Sequence, residues 1–369
     1  MNLSKACFLS LFFLFLFSIS DIFAYSSNGQ QQIAAKEWNI MIYMAADNNL
    51  DSFASKDMQE IVKAGGSSPT MDVTVMYDGE KNGDSKYIHY NTKGKIDFTK
   101  VLGEIDSGDI KEVDKFVKWS STAYPAKNYF LVLWNHGSGW NLENGIDPVR
   151  AIHIEGVAYD DNGTNVTTQE LGEFVAKSAV KIDILGYDAC LMQMIEVLYQ
   201  VKDSVKYVVA SEELEPGEGW PYEKFLIRNN FTPEELLSNL VDAYGTYGST
   251  LSAINVDKFN KFLPFFKRWV TTLTKDKLAS IKKDAVIFSS SGGIDLGNLI
   301  EAYISNTIDT ANNGKELYDS YKSMFINVKN DSEYQKATGL AIYLPDSFDS
   351  DYLDLNFAKD FPAWVNLIR

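Results

Sequence analysis

The chain has 369 residues, 45% of them hydrophobic and 13% aromatic, and carries a formal net charge of −16. That much apolar matter can bury a large core, in one big domain or two fused ones. Its acidic surface disfavours nucleic acid and anionic membranes, whose phosphates it repels, and suits solubility and the attraction of basic substrates.

Residues 1–24 read as a signal peptide. Lys5 supplies the positive start, residues 8–17 a dense apolar run, and Ile22-Phe23-Ala24 a small residue at the cut. The run is shorter than the roughly 20 apolar residues that span a bilayer, so export without lasting membrane insertion is expected, to a bacterial periplasm, cell surface or medium. The leader takes with it one lysine, one aspartate (Asp21) and Cys7, which leaves the charge unchanged and Cys190 as the single thiol. Without a disulfide framework, stability must come from core burial. An unpaired thiol is then either inert packing or a reagent.

A polar, Gln-rich lead-in occupies residues 25–37. Residues 38–44 form a near-continuous apolar run, as in a strand buried on both faces. A turn at 45–49 leads to a helix over 51–64, stopped by Gly65-Gly66. A second strand is expected at 72–77, a small hairpin at 87–90 and 94–96, and a helix at 113–119. The third buried strand, 129–134, runs into Asn135-His136-Gly137-Ser138-Gly139-Trp140. After a long loop, Thr167 and Glu170 form a capping box that opens a helix to residue 178. The fourth strand, 182–185, ends in Asp188-Ala189-Cys190, and a helix is expected from 191 to 201. The fifth strand, 207–210, precedes an acidic, glycine-containing segment, 211–220.

Alternating strands and helices over 38–221 predict an α/β domain with a mostly parallel central sheet flanked by helices. Residues 222–369 read as a mainly helical region packed on it, with helices at 233–244, 256–273, 296–308 and 317–328. One late strand, 339–344, is expected to add to the sheet.

In an open parallel sheet, functional residues collect beyond the carboxyl ends of the strands. His136 and Cys190 each follow such a strand within a few residues, on the same sheet edge. A thiol needs a neighbouring base or positive field to act as a nucleophile near neutral pH. If Cys190 opens a helix, its dipole adds such a field. Of the three histidines, His89 falls in the hairpin and His153 in the long loop, while His136 alone is strand-terminal and followed by glycine. The N–H groups of Gly137 and Cys190 form a candidate oxyanion hole. The alternative is a buried structural cysteine beside a loop histidine. One cysteine and scattered histidines show no metal-ligand spacing. Ser138 in His-Gly-Ser-Gly imitates an oxyanion loop, yet the sequence has no Gly-x-Ser-x-Gly elbow.

These segments resemble the clostripain family of cysteine peptidases. The similar blocks are residues 42–50, 131–140, 186–192, 211–222 and 339–345, of which His-Gly-Ser-Gly-Trp and Asp-Ala-Cys-Leu-Met are the most specific. The resemblance implies a caspase-like fold and an endopeptidase that cuts after Arg or Lys. It carries the catalytic dyad onto His136 and Cys190 and the floor of the S1 pocket onto Asp188. A buried carboxylate there would suit a substrate guanidinium, although Asp is also a common helix N-cap. Glu218 is a candidate second acid, where family members often have Asp. The family is often cut between its His and Cys blocks, and Arg150 is the only basic residue from 137 to 176, which makes Arg150–Ala151 the expected processing bond. Some family members need calcium. Residues 160–164 lack the EF-hand spacing and read as a turn, so calcium has no assigned place. The substrates implied are proteins or peptides bearing Arg or Lys, cut by a monomer that becomes two-chained after self-cleavage. The competing expectation is a catalytically silent binding module that keeps the fold.

Overall fold

The computed structural model describes residues 34–140, 156–226, 231–244, 249–288, 292–306 and 313–369, and Ala35–Arg369 forms one compact unit. The leader and the Arg150–Ala151 bond lie outside the described residues, as does His153.

In chain order the first half contains β1 (Lys36–Ala46), α1 (Asp51–Ala64), β2 (Met71–Gly79), β3 (Ser85–Tyr90), β4 (Ile96–Gly103), α2 (Ile110–Ala123) and β5 (Ala126–Trp134). Then come α3 (Thr168–Lys177), β6 (Ile184–Asp188), α4 (Ile195–Val201) and β7 (Tyr207–Ala210). The remainder holds α5 (Tyr222–Phe225), α6 (Pro233–Tyr244), β8 (Thr250–Asn255), α7 (Val256–Val270), α8 (Lys275–Lys282), β9 (Gly293–Asp295) and α9 (Leu296–Ser305). It closes with α10 (Asn313–Ser323), β10 (Phe325–Asn330), β11 (Ala341–Tyr343), α11 (Asn356–Asp360) and α12 (Pro362–Ile368).

Nine strands make one sheet in the order β10-β8-β7-β6-β5-β1-β2-β3-β4. The five central strands run parallel, and β3, β4, β8 and β10 extend the two flanks antiparallel. The fold is thus α/β with a mostly parallel centre, as the alternation of strands and helices implies.

Period-two geometry explains why the central strands read as unbroken apolar runs. In β1, Met41, Tyr43 and Ala45 join the core on one face, and Ile40, Ile42 and Met44 the core on the other. In β6 the same alternation puts Leu185 and Tyr187 on the first face, and Ile184 on the second. Gly186 and Asp188 share the face of Ile184, where α1 and α6 supply Ala54, Ile61 and Tyr244.

The C-terminal third departs from expectation in two ways. It is rich in helix, yet it supplies β8 and β10 to the main sheet, so the sheet crosses the division expected at residue 221. The helix expected over 317–328 stops at Ser323, and its last residues form edge strand β10, in which Asn327, Lys329 and Asn330 break any apolar run. The late strand at 341–343 pairs with β9 instead of joining the large sheet, and a bridge between Met194 and Ala341 links it to the segment after Cys190.

Gly186 is needed by packing. A Cβ there would lie 2.7 Å from Phe130 Cε2 and 2.8 Å from the Trp220 ring. Gly186→Ala is therefore expected to lower stability by about 1–3 kcal/mol through overpacking. Urea unfolding checks this, and an unchanged midpoint would show that the Trp220 ring yields freely.

Candidate active site

The site begins with strand pairing. β5 and β6 are parallel neighbours, and their register sets Trp134 beside Asp188. The Asn135 N–H donates to the Asp188 carbonyl at 3.2 Å, carrying the pairing one residue past the strands. His136 and Cys190 therefore leave adjacent strands at the same level. The two loops then touch, since a Cβ on Gly137 would fall 2.4 Å from the Cys190 carbonyl oxygen and 3.0 Å from Ala189 Cβ. Only glycine allows that approach.

Asn135 and Asn48 tie this edge together. Asn135 Nδ2 donates to the Ala45 carbonyl and, at 3.1 Å, to the Tyr159 carbonyl, while its Oδ1 accepts the Tyr159 N–H at 2.8 Å. Asn48 Nδ2 donates to the same two carbonyls at 3.2 and 2.8 Å. The β1 loop so braced presents Asn49, whose Oδ1 lies 2.8 Å from His136 Nε2. An amide oxygen only accepts, so this bond favours the Nε2–H tautomer. Sequence reasoning did not reach Asn49. Its signal was available, because the turn at 45–49 follows a third strand on the same edge.

Cys190 is partly buried and free. It does not open a helix, contrary to expectation: α4 starts at Ile195, and Leu191 adopts a left-handed φ of 62°. The backbone of this segment is used elsewhere. The Leu191 N–H donates to the Glu213 carbonyl at 3.2 Å, the Gln193 N–H to the Ser211 carbonyl at 2.8 Å, and the Ala341 N–H to the Gln193 carbonyl at 2.9 Å. No helix dipole therefore acts on the thiol. Burial, followed by the Glu215 carboxylate, pushes the Cys190 thiol up to about 12. The Glu215 N–H, 3.2 Å from Sγ, opposes this. Cys190 is therefore held as a thiol, and any attack needs a base to remove its proton. No acceptor among the described residues takes the Gly137 N–H.

Asp188 is buried behind the nucleophile. It caps no helix. Its Oδ1 accepts the Trp220 N–H at 3.1 Å, and its Oδ2 accepts the Tyr222 hydroxyl at 2.8 Å. The same Trp220 donates Nε1–H to Glu215 Oε1 at 3.4 Å. Asp57 of α1 is buried on the same face and accepts Trp134 Nε1–H at 2.7 Å. Burial first, and then repulsion by Asp188, raises the pKa of Asp57 and of Glu215; burial also raises that of Asp188. Glu218 is exposed, whereas the Glu215 backbone N–H lies 3.2 Å from Cys190 Sγ and its Oε1 accepts Trp220 Nε1–H at 3.4 Å. Sequence spacing did not separate the two, since the turn at 216–219 decides which side chain points inward.

The other candidates have structural roles. His89 is buried between Asp72 (3.0 Å) and Asp97 (2.6 Å) and stacks on Tyr124. Ser138 is fully buried and accepts the Gly156 N–H at 2.9 Å. The Asp160 carboxylate is occupied by N–H donors of Asn162 and Ser107, at 3.0 and 2.9 Å, as in a turn. That donor set does not suit a cation, and among the described residues no group of three or more His, Cys, Asp or Glu could hold a metal ion. No helix among them is long and apolar enough to cross a membrane.

The chain is similar to known proteins over most of its length. Clostripain from Hathewaya histolytica is 28% identical over 218 residues, which cover 51% of this chain and 41% of that protein. A secreted C11 cysteine protease from Bacteroides thetaiotaomicron, solved with an irreversible peptide inhibitor, superposes with a TM-score of 0.68 at 19% identity, covering 90% of this chain and 99% of that one. An inactive zymogen C11 protease from Parabacteroides distasonis does so with a TM-score of 0.70 at 18% identity, covering 89% and 99%. These two likenesses establish the fold. The clostripain family model matches residues 42–351, a stretch that holds the in-register His136 and Cys190 loops, and the chain belongs to that family of cysteine peptidases.

Proposed function

We propose that this cysteine peptidase is an exported endopeptidase that cuts after Arg or Lys with a Cys190–His136 dyad. The observation that carries the reading is the level exit of the two loops from paired strands, with Gly137 against the Cys190 carbonyl. His136 Nδ1 takes the thiol proton as Sγ attacks the carbonyl carbon, forming the C–S bond. The N–H groups of Gly137 and Cys190 stabilise the oxyanion. The C–N bond then breaks, and the imidazolium gives its proton to the leaving amine. Water, deprotonated by His136, releases the acyl-enzyme. Asn49 orients the imidazole, and Asp188 receives the P1 cation. Export rests on the leader at 1–24. Self-processing at Arg150–Ala151 rests on Arg150 being the only Lys or Arg in the loop from 137 to 176.

Cys190→Ala and His136→Ala should each lower hydrolysis of Arg reporter peptides at least a thousandfold. Activity persisting in Cys190→Ala would sink the thiol mechanism. Asn49→Ala should cost roughly tenfold in kcat with little change in KM, because it loosens only the base. Steady-state kinetics separates the two parameters.

Asp188→Asn should reduce kcat/KM for Arg and Lys substrates by about a hundredfold, the loss typical of one member of a buried charge pair. A peptide with citrulline at P1 should be affected far less. Equal losses on both would remove Asp188 from P1 recognition. N-terminal sequencing of the processed wild type should begin at Ala151, and Arg150→Gln should stay a single chain. Full activity in that uncut variant would show that cleavage is not required.

A further inference from the structure

A backbone donor reaches the nucleophilic sulfur from another segment of the chain. The Glu215 N–H donates to Cys190 Sγ at 3.2 Å. That N–H belongs to the peptide group joining Leu214 to Glu215, and the carbonyl of the same peptide group is held as well. Ser249 Oγ donates to the Leu214 carbonyl at 2.5 Å. Hydroxyl, peptide and sulfur therefore form one chain of hydrogen bonds, O–H to C=O and then N–H to S. Donation to a carbonyl polarises the peptide and makes its N–H a stronger donor.

The start of β8 builds this arrangement. Ser249 stands half-buried just before the strand, and its own carbonyl accepts the Asp331 N–H at 2.8 Å. The next residue fastens the same segment, since Thr250 Oγ1 accepts the N–H groups of Glu212 and Glu213 at 3.0 and 3.2 Å. Glu213 Oε1 accepts the Leu214 N–H at 2.7 Å, and the Glu213 carbonyl accepts the Leu191 N–H at 3.2 Å. The N–H groups before Glu215 are thus all committed, which leaves that of Glu215 to meet the sulfur. Glu215 acts on the thiol in two opposed ways: its N–H favours the thiolate, and its carboxylate disfavours it. Glu213 and the Tyr244 hydroxyl of α6 are the other titratable groups that act on the thiol from these elements, and His136 belongs to the loop after β5.

Taking Cys190 as the nucleophile, we propose that Ser249 is a positioning residue for the reaction: it orients and polarises the Leu214–Glu215 peptide so that the Glu215 N–H holds the thiolate as it forms. The proton passes from Sγ to His136, the N–H stays on Glu215, and no bond to Ser249 is made or broken. The contact with sulfur is weak while the thiol is neutral and strengthens as negative charge develops, so it favours the thiolate over the thiol. A segment 25 residues along the chain thereby supplies the donor that a helix start at Cys190 would have given.

From residue 25 onward Cys190 is the only cysteine, so alkylation by iodoacetamide reads this sulfur alone. Its rate is measured from about pH 7 to 9 in the wild type, Ser249→Ala and Ser249→Thr. Ser249→Ala weakens the N–H contact with the thiolate and should raise the thiol's pKa by about one. A more basic sulfur is the better nucleophile and regains about half of that loss, so alkylation should slow roughly threefold. Ser249→Thr restores the hydroxyl and should restore the wild-type rate. The slowing should persist in a His136→Ala background, because the peptide acts on the sulfur directly. Loosening that merely opened the site would speed alkylation instead. An unslowed or faster Ser249→Ala, an equally slow Ser249→Thr, or an effect that vanishes with His136 would each overturn the role of Ser249. None of these results touches the nucleophile reading, which falls only if hydrolysis of the Arg reporter survives in Cys190→Ala.

Discussion

Parallel pairing of β5 with β6 is the constraint on which the rest of the site depends. Its register sets Trp134 beside Asp188, and strand spacing does the remainder. Adjacent strands lie about 4.8 Å apart, so residues two positions past each end emerge as neighbours. A shift of one residue would turn Asp188 to the opposite face and carry Cys190 away from His136. The sheet resists that shift because β1, β5 and β6 are buried on both faces, and every alternate side chain is committed to one of two cores.

Period-two geometry also sorts the side chains of β6 onto two faces. Odd-numbered side chains of β6 enter the core that includes α2, α3 and α4, whereas Gly186 and Asp188 share the face of α1 and α6. The acids gather on the second face: Asp188 from β6, Asp57 from α1 and Glu215 from the segment after β7. Trp220 links packing to charge there. Its ring fills the space above Gly186, and its N–H holds Asp188. Burial first, and then Glu215 beside it, raises the pKa of the Cys190 thiol.

The segment from Leu191 to Met194 shows local and tertiary preferences in conflict. Its composition suits a helix, and a helix starting at Cys190 would have favoured a thiolate. The backbone instead donates to the carbonyls of Ser211 and Glu213 and accepts from Ala341. Those bonds fasten the nucleophile loop to the acidic segment and to the C-terminal third. Without that helix start, and with burial and Glu215 raising its pKa, the thiol would need a separate base to lose its proton.

Much of this protein was determined by local sequence alone. Unbroken apolar runs marked β1, β5 and β7, the Gly65 stop and the Thr167 capping box bounded α1 and α3, and His136 and Cys190 stood out as strand-terminal reagents. These features depend on burial periodicity and on side-chain bonds a few residues apart, which a single sequence carries. Tertiary structure decided the rest. Strand order brought Asn49 to His136. The turn at 216–219 left Glu218 exposed. Pairing partners far along the chain made β8 and β10 strands of the main sheet and unwound the start of α4. Asp57 lies 131 positions before Asp188 in the sequence, and no local pattern could have joined them. The energy that does so is burial on a shared sheet face, which exists only once the chain has folded.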